Sequence, residues 1–134
     1  GPLVVIGGPD EREASGLVRS LTACPIVDLT GETPIGLLPA LLSKACVLIT
    51  NDSGPMHVAA AVGRPVVSIF GPTSAVRTGP YGAGHTVLAH DLPCRPCFSR
   101  VCRNAVSMEC LESITPEQVV AAVVAQQSCR MVSR

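Results

Sequence analysis

Short aliphatic runs alternate along the chain with longer stretches of helical spacing. Leu3 to Ile6 is an apolar run closed by Gly7-Gly8-Pro9, which has the length and punctuation of a buried strand. Asp10 stands at an N-cap position with Glu13 three residues on, and Ala14, Leu17, Val18 and Leu21 follow at helical intervals. Ile26 to Leu29 reads as a second strand. Thr33-Pro34 sets an N-cap before a proline at the first helical position, ahead of a stripe of Ile35, Leu38, Leu41 and Leu42. Ala45 to Ile49 predicts a third strand, Thr50 to Gly54 a polar turn, and Pro55 to Val62 a helix stopped by Gly63. Val66 to Phe70 and Thr86 to Leu88 predict two more strands. Thr115-Pro116-Glu117-Gln118 starts a last helix whose predicted buried face is Val119, Val120, Val123 and Val124.

Strands alternating with helices at this spacing imply a mostly parallel sheet with helical crossovers, an α/β fold. Ligands on such sheets bind beyond the carboxyl ends of the strands. The turns after the first and third strands are therefore the places to search.

Composition narrows the class. The chain has 134 residues, enough for one domain, with 47% apolar and 15% charged residues. Its only aromatics are Phe70, Tyr81 and Phe98, so the core must be aliphatic. Ten basic and ten acidic residues give zero net charge, which argues against a nucleic-acid partner. No apolar run has the roughly 20 residues of a membrane-spanning helix. No leader is read at the start, and an odd count of seven cysteines points to a reducing, cytoplasmic setting rather than a disulfide scaffold.

The segment Thr50-Asn51-Asp52-Ser53-Gly54-Pro55-Met56-His57 takes a strand straight into a helix. Pro55 opens that helix without wasting a donor, and its first amides form an anion-friendly terminus. Asp52 beside a diphosphate would repel it, so it suits sugar hydroxyls or the cap of the helix. By spacing alone, Asp52 or Ser53 as a plain N-cap and His57 as a packed helix histidine are the favoured readings.

The run from Thr50 to Ala61, with Gly63-Arg64-Pro65-Val66-Val67 and Phe70-Gly71-Pro72-Thr73, resembles glycosyltransferase family 9, the lipopolysaccharide heptosyltransferases. Val5 to Glu11, Asp28 to Gly31, Thr78 to Gly82, Leu92 to Phe98 and Ile114 to Glu117 match in the same order, closest to the type II enzymes. The resemblance implies a Rossmann-like parallel sheet with flanking helices, the C-terminal half of a GT-B fold lacking its first strand-helix unit. Residues 1–134 would then be an incomplete donor-binding domain.

By that resemblance Ser53, Gly54, Pro55, Met56 and His57 would hold the diphosphate of ADP-heptose, Asp52 the heptose, and Gly8 and Glu11 the ribose side. Read without the family, Glu11 is a first-turn acid favoured by the helix dipole. The transfer would be inverting, to the lipid A–core acceptor, and would need no metal for the diphosphate. No residue here matches the general base, which is expected outside this chain together with the N-terminal acceptor domain. The full enzyme would lie in the cytoplasm, with peripheral association at the inner membrane.

Residues 91–113 form a cysteine-rich loop. Cys94, Cys97, Cys102 and Cys110 make one C-x2-C half of a zinc site and an irregular second half. A structural zinc, free thiols or a disulfide are the readings it allows. Arg77, Arg95, Arg100 and Arg103 read as solvated loop charge, and His85 and His90 as surface residues. The competing functions are a non-catalytic nucleotide-binding or metal-stabilised α/β module, and the donor domain of another GT-B glycosyltransferase using a UDP-sugar.

Overall fold

The computed structural model describes residues 2–131, with side chains through residue 127. The expected domain limits 1–134 thus run past both ends, and the Cys129 side chain lies outside the described residues. The chain divides into two compact units, Gly1–Leu38 and Pro39–Arg134.

In the first unit β1 (Leu3–Val5) and β2 (Ile26–Asp28) pair in parallel, Leu3 opposite Ile26 and Val5 opposite Asp28. The amides of Leu29 and Gly31 continue the ladder onto the Val5 and Gly7 carbonyls at 2.9 Å each. Between the strands lie a 3-10 turn at Pro9–Glu11 and helix α1 (Arg12–Ser20). The capping box sits elsewhere than the Asp10/Glu13 spacing suggests. Gly8 is the N-cap, and its amide donates to Glu11 Oε2 at 2.6 Å. Pro9 presets the first helical φ, so the helix entry starts one residue earlier. A Cβ on Gly7 would sit 2.7 Å from Glu11 Oε2 and would displace that carboxylate from its bond to Gly8.

Residue Ser15 is the one buried position of α1, and the stripe of Leu17, Val18 and Leu21 is exposed. Ser15 Oγ donates to Asp28 Oδ2 at 3.0 Å, the Thr30 amide donates to Asp28 Oδ1 at 3.0 Å, and Arg19 Nη1 lies 3.9 Å from Oδ2. Thr30, whose amide donates to it, then Ser15 and Arg19 hold the Asp28 carboxyl below its ordinary value.

The expected helix from Pro34 does not form. Leu37 and Leu38 make only three-residue turn bonds to Pro34 and Ile35, the Thr33 hydroxyl reaches back to the Leu29 carbonyl, and Ile35 is exposed. α2 is limited to Leu38–Leu42. Pro39 is the cause: it lacks an N–H, its ring clashes with the carbonyl four residues back, and it disfavours helix at the residue before it.

In the second unit β3 (Leu48–Asn51), β4 (Val66–Phe70) and β5 (Thr86–Ala89) form a parallel sheet in the order β3-β4-β5. The expected single sheet is thus seen as two parallel groups among the described residues. β3 starts later than the apolar run Ala45 to Ile49 suggested, so Thr50 and Asn51 are strand rather than turn. Register explains the shift: Leu48 pairs with Val66 and Asn51 with Ile69, which extends β3 along the full central strand.

β4 is the core. Val66, Val67, Ser68 and Phe70 have no exposed surface, as a strand covered on both faces requires. α3 (Gly54–Ala61) connects β3 to β4 and ends at Gly63, whose φ of +70° closes the last turn with Arg64 N on the Ala59 carbonyl at 2.9 Å. Two four-residue helices, α4 (Ala75–Thr78) and α5 (Glu109–Glu112), fall where only turns and loop were expected.

The last helix, α6 (Pro116–Met131), starts as the sequence predicts. The Thr115 amide donates to Gln118 Oε1 at 2.9 Å, and the Gln118 amide returns to Thr115 Oγ1 at 3.4 Å. Its buried stripe is rotated from the all-valine face. Ala122 is buried and Val119, Val123 and Gln126 half-buried, while Val120 and Val124 are exposed. Gln126 Nε2 donates to Thr86 Oγ1 at 2.7 Å, which turns that polar side chain toward β5.

Two measurements check this packing. Phe70→Ala should cost about 3–5 kcal/mol, as core phenylalanine truncations do, whereas Val120→Ala should change stability by less than about 0.5 kcal/mol. Equal losses in urea titrations would contradict the assigned core. Asp28 gives the second test. Its lowered folded pKa means its stabilisation is complete above the ordinary carboxylate value and is lost as pH falls through the folded value. Asp28→Asn should flatten the acid limb of the melting curve below about pH 4; an unchanged limb would remove the assignment.

Candidate functional site

The turn leaving β3 carries the candidate donor site. Ser53 is the N-cap of α3 in extended conformation, and Pro55 sits in the first turn. The Met56 amide reaches the Ser53 carbonyl at 3.2 Å. No side chain caps the helix. Ser53 Oγ is engaged instead with Thr50 Oγ1 at 2.9 Å and the Asn51 carbonyl at 3.4 Å. Asp52 Oδ2 accepts the Thr78 hydroxyl at 2.9 Å. The side chains that could have capped α3 are thus held by other partners. A Cβ built on Gly54 would meet nothing within 4 Å, so the helix terminus has open space beside it. Uncapped amides at the positive end of a helix dipole suit a phosphate oxygen.

The six expected residues of this turn do not share one environment. Asp52, Ser53 and Pro55 are half-buried, and Gly54 and His57 are exposed. The Met56 amide donates to the Ser53 carbonyl, and its side chain is fully buried in the core. The helical period causes this, because Met56 and Ala59 share the buried face of α3. Gly8 and Glu11 lie in the first unit, joined by their own amide–carboxylate bond. Glu11 therefore caps its turn through Oε2, while a carboxylate keeps further acceptor capacity.

Sequence reasoning passed over three residues. Thr78 was visible at the head of Thr78-Gly79-Pro80, yet its bond to Asp52 spans 26 positions. Thr50, assigned to a turn, is the strand partner of the Ser53 hydroxyl. Arg95 is no solvated charge: its guanidinium donates to the Gly71 carbonyl at 2.6 Å, to Thr73 at 3.5 Å and to the His90 carbonyl. Arg77 stacks over the Phe98 ring at 5.1 Å. His85 is half-buried, with Nε2 3.2 Å from the Tyr81 carbonyl, rather than a surface residue, and His90 is exposed.

The zinc reading of the cysteine loop is not supported by its geometry. Among the described residues no three His, Cys, Asp or Glu side chains converge as metal ligands. Cys110 is buried on α5 and Cys94 and Cys97 are exposed. Cys102 accepts the Met108 amide on its sulfur at 3.3 Å. The short α5 fixes Cys110 in the core and so separates the roles of the four thiols.

The model of glycosyltransferase family 9 (heptosyltransferase) matches residues 2–107. The chain belongs to glycosyltransferase family 9. It is 35% identical over 96 residues to lipooligosaccharide heptosyltransferase 2 of Campylobacter jejuni, a match covering 71% of this chain and 30% of that protein. The family 9 glycosyltransferase of Veillonella parvula superposes with a TM-score of 0.79 at 31% identity, over 94% of this chain and 36% of that one. The ADP-heptose heptosyltransferase II of Escherichia coli superposes at 0.78 with 27% identity, over 97% and 37%. The Rossmann-like α/β class follows from these superpositions together with the parallel strands. The chain thus spans about a third of the length of the relatives it matches.

A double-mutant cycle tests the uncapped helix. Thr50→Val and Ser53→Ala should couple by about 0.5–1.5 kcal/mol, the range of one hydrogen bond. Zero coupling with a full loss in Ser53→Ala alone would mean that Ser53 caps α3 after all.

Proposed function

We propose that this chain is the donor-binding part of a heptosyltransferase that moves heptose from ADP-heptose to the lipopolysaccharide inner core. The carrying observation is the uncapped N-terminus of α3 with the Asp52 carboxylate fixed beside it by Thr78. The backbone of Ser53 and Gly54 and the exposed His57 bind the diphosphate, the Met56 N–H being spent on the Ser53 carbonyl. Their fixed dipoles offset charge growing on the departing ADP. Asp52 accepts hydroxyls of the heptose, because a carboxylate favours hydroxyl donors and repels phosphate. Gly8 and Glu11 serve the ribose, Glu11 through the oxygen that its Gly8 bond leaves over.

The diphosphate needs no metal in this scheme. The general base that deprotonates the acceptor must lie within hydrogen-bond reach of the acceptor hydroxyl, and it is assigned to protein beyond these residues, with the lipid A–core site. Among the described residues no helix is long and apolar enough to cross a membrane. The full enzyme is assigned to the cytoplasmic face of the inner membrane as a peripheral protein.

Calorimetric titration of the chain should show ADP binding that UDP does not displace, with no heptosyl transfer by the chain alone. In the full-length enzyme Asp52→Ala should lower kcat/KM about 10- to 100-fold, as loss of a charge-assisted hydrogen bond does. Preference for UDP would move the chain to another GT-B donor class. An unchanged kcat/KM in Asp52→Ala would remove Asp52 from the sugar site.

A further inference from the structure

Pro72 and loop residues between Leu92 and Leu111 wall a cavity of about 770 Å³, within the size range of small-molecule sites. All four thiols of the loop line it, together with Arg95, Arg100 and Arg103. The thiols are not equivalent. Cys110 is buried, and Cys94 and Cys97 are exposed. Cys102 is half-buried, and its sulfur receives the backbone N–H of Met108 at 3.3 Å.

Two features hold that donor in place. Met108 adopts a left-handed φ of 57° at the N-cap of α5. Asn104 is tied to Glu109 by its side-chain amide at 2.6 Å. The amides of Met108 and Asn104 and the Ser107 hydroxyl bring the Cys102 thiol below its ordinary pKa. Hydrogen bonds to sulfur favour the thiolate, which is the reactive form. Arg95 spends its guanidinium on backbone carbonyls. Arg100 and Arg103 are exposed and give the cavity a cationic wall that attracts anions. Glu109 also lines it, but faces Asn104.

We infer that Cys102 is a nucleophilic thiol that forms a mixed disulfide with small anionic disulfides entering this cavity. The thiolate attacks one sulfur of the incoming disulfide. A new S–S bond forms to Cys102, the old one breaks, and the departing half leaves as a thiolate that takes a proton from water. The incoming disulfide is the oxidant, and half of it is reduced to a thiol. This site is separate from the donor turn, and its outcome does not depend on the proposed transferase reading.

The test uses the reduced, folded chain with glutathione disulfide, followed by quenching and peptide mass mapping over time. The first adduct should fall on Cys102, on the order of tenfold faster than on Cys24 or Cys46, the gain that local charge steering supplies. Neutral hydroxyethyl disulfide should lose most of that selectivity. Arg100→Ala with Arg103→Ala, both at exposed positions, should slow the Cys102 reaction about tenfold and leave Cys24 unchanged. Cys102→Ser should remove the fast phase. Equal labelling of all exposed thiols, a first product that is a disulfide within the loop, or a Cys102 rate indifferent to the arginines and to reagent charge would each overturn the inference.

Discussion

Residues 39–131 depend on one constraint, the complete burial of β4. A strand with Val66, Val67, Ser68 and Phe70 all sealed is packed on both faces, so a shift of one residue would set each side chain against the wrong layer. Its ladders then fix β3 and β5 residue by residue. The end of β3 is set by pairing to Ile69, and that end delivers Asp52 and Ser53 to the same edge of the sheet. Even the polar exception is accounted for, since Ser68 Oγ finds the Thr86 carbonyl at 3.4 Å.

On this rigid edge the chemistry comes from an absence of capping. Helices commonly satisfy their first amides with the side chain of the N-cap residue. Here the Ser53 hydroxyl faces Thr50 and the Asp52 carboxylate faces Thr78. No side chain closes the terminus, and the nearby carboxylate is held by a neutral hydroxyl. A lysine or arginine partner would have neutralised Asp52 and weakened its preference for hydroxyl donors over phosphate. The threonine hydroxyl fixes its direction.

The sequence was legible where local signals and burial agree. Val66 to Phe70, Gly63 and the Thr115/Gln118 start of α6 appear as expected, because each carries its own geometric demand. It was less legible where long-range pairing decides. The late start of β3 follows from its register with β4, which the apolar run 45–49 does not encode. The α6 stripe misleads because its valines occupy two adjacent faces, and the choice of Val119, Ala122, Val123 and Gln126 is made by what lies opposite. At α2 the signal was present but misread, since Pro39 outweighs the cap at Thr33. In the donor turn the residue types and order could be read directly. The roles of Thr50 and Thr78 could not, because a hydroxyl pair across 3 positions and a hydroxyl–carboxylate bond across 26 leave no periodic trace.

Arg95 shows how a loop charge becomes part of the scaffold. Its guanidinium gathers the carbonyls of Gly71, Thr73 and His90, and the Phe98 amide adds a bond to the Pro72 carbonyl at 2.9 Å. These bonds clamp the cysteine loop onto the segment that leaves β4. That segment continues into Ser74, whose carbonyl lies 3.1 Å from the Thr78 hydroxyl, and Thr78 in turn holds Asp52. A continuous path of hydrogen bonds and short backbone links therefore joins the loop to the carboxylate of the donor turn. The Thr78 hydroxyl shares its one hydrogen between Asp52 Oδ2 and the Ser74 carbonyl, while the Arg95 guanidinium holds the loop end of the path. An arginine with several donors in a fixed fork holds that end better than a lysine would. The position of Asp52 is thereby tied to the packing of a loop that contributes no residue to the donor turn itself.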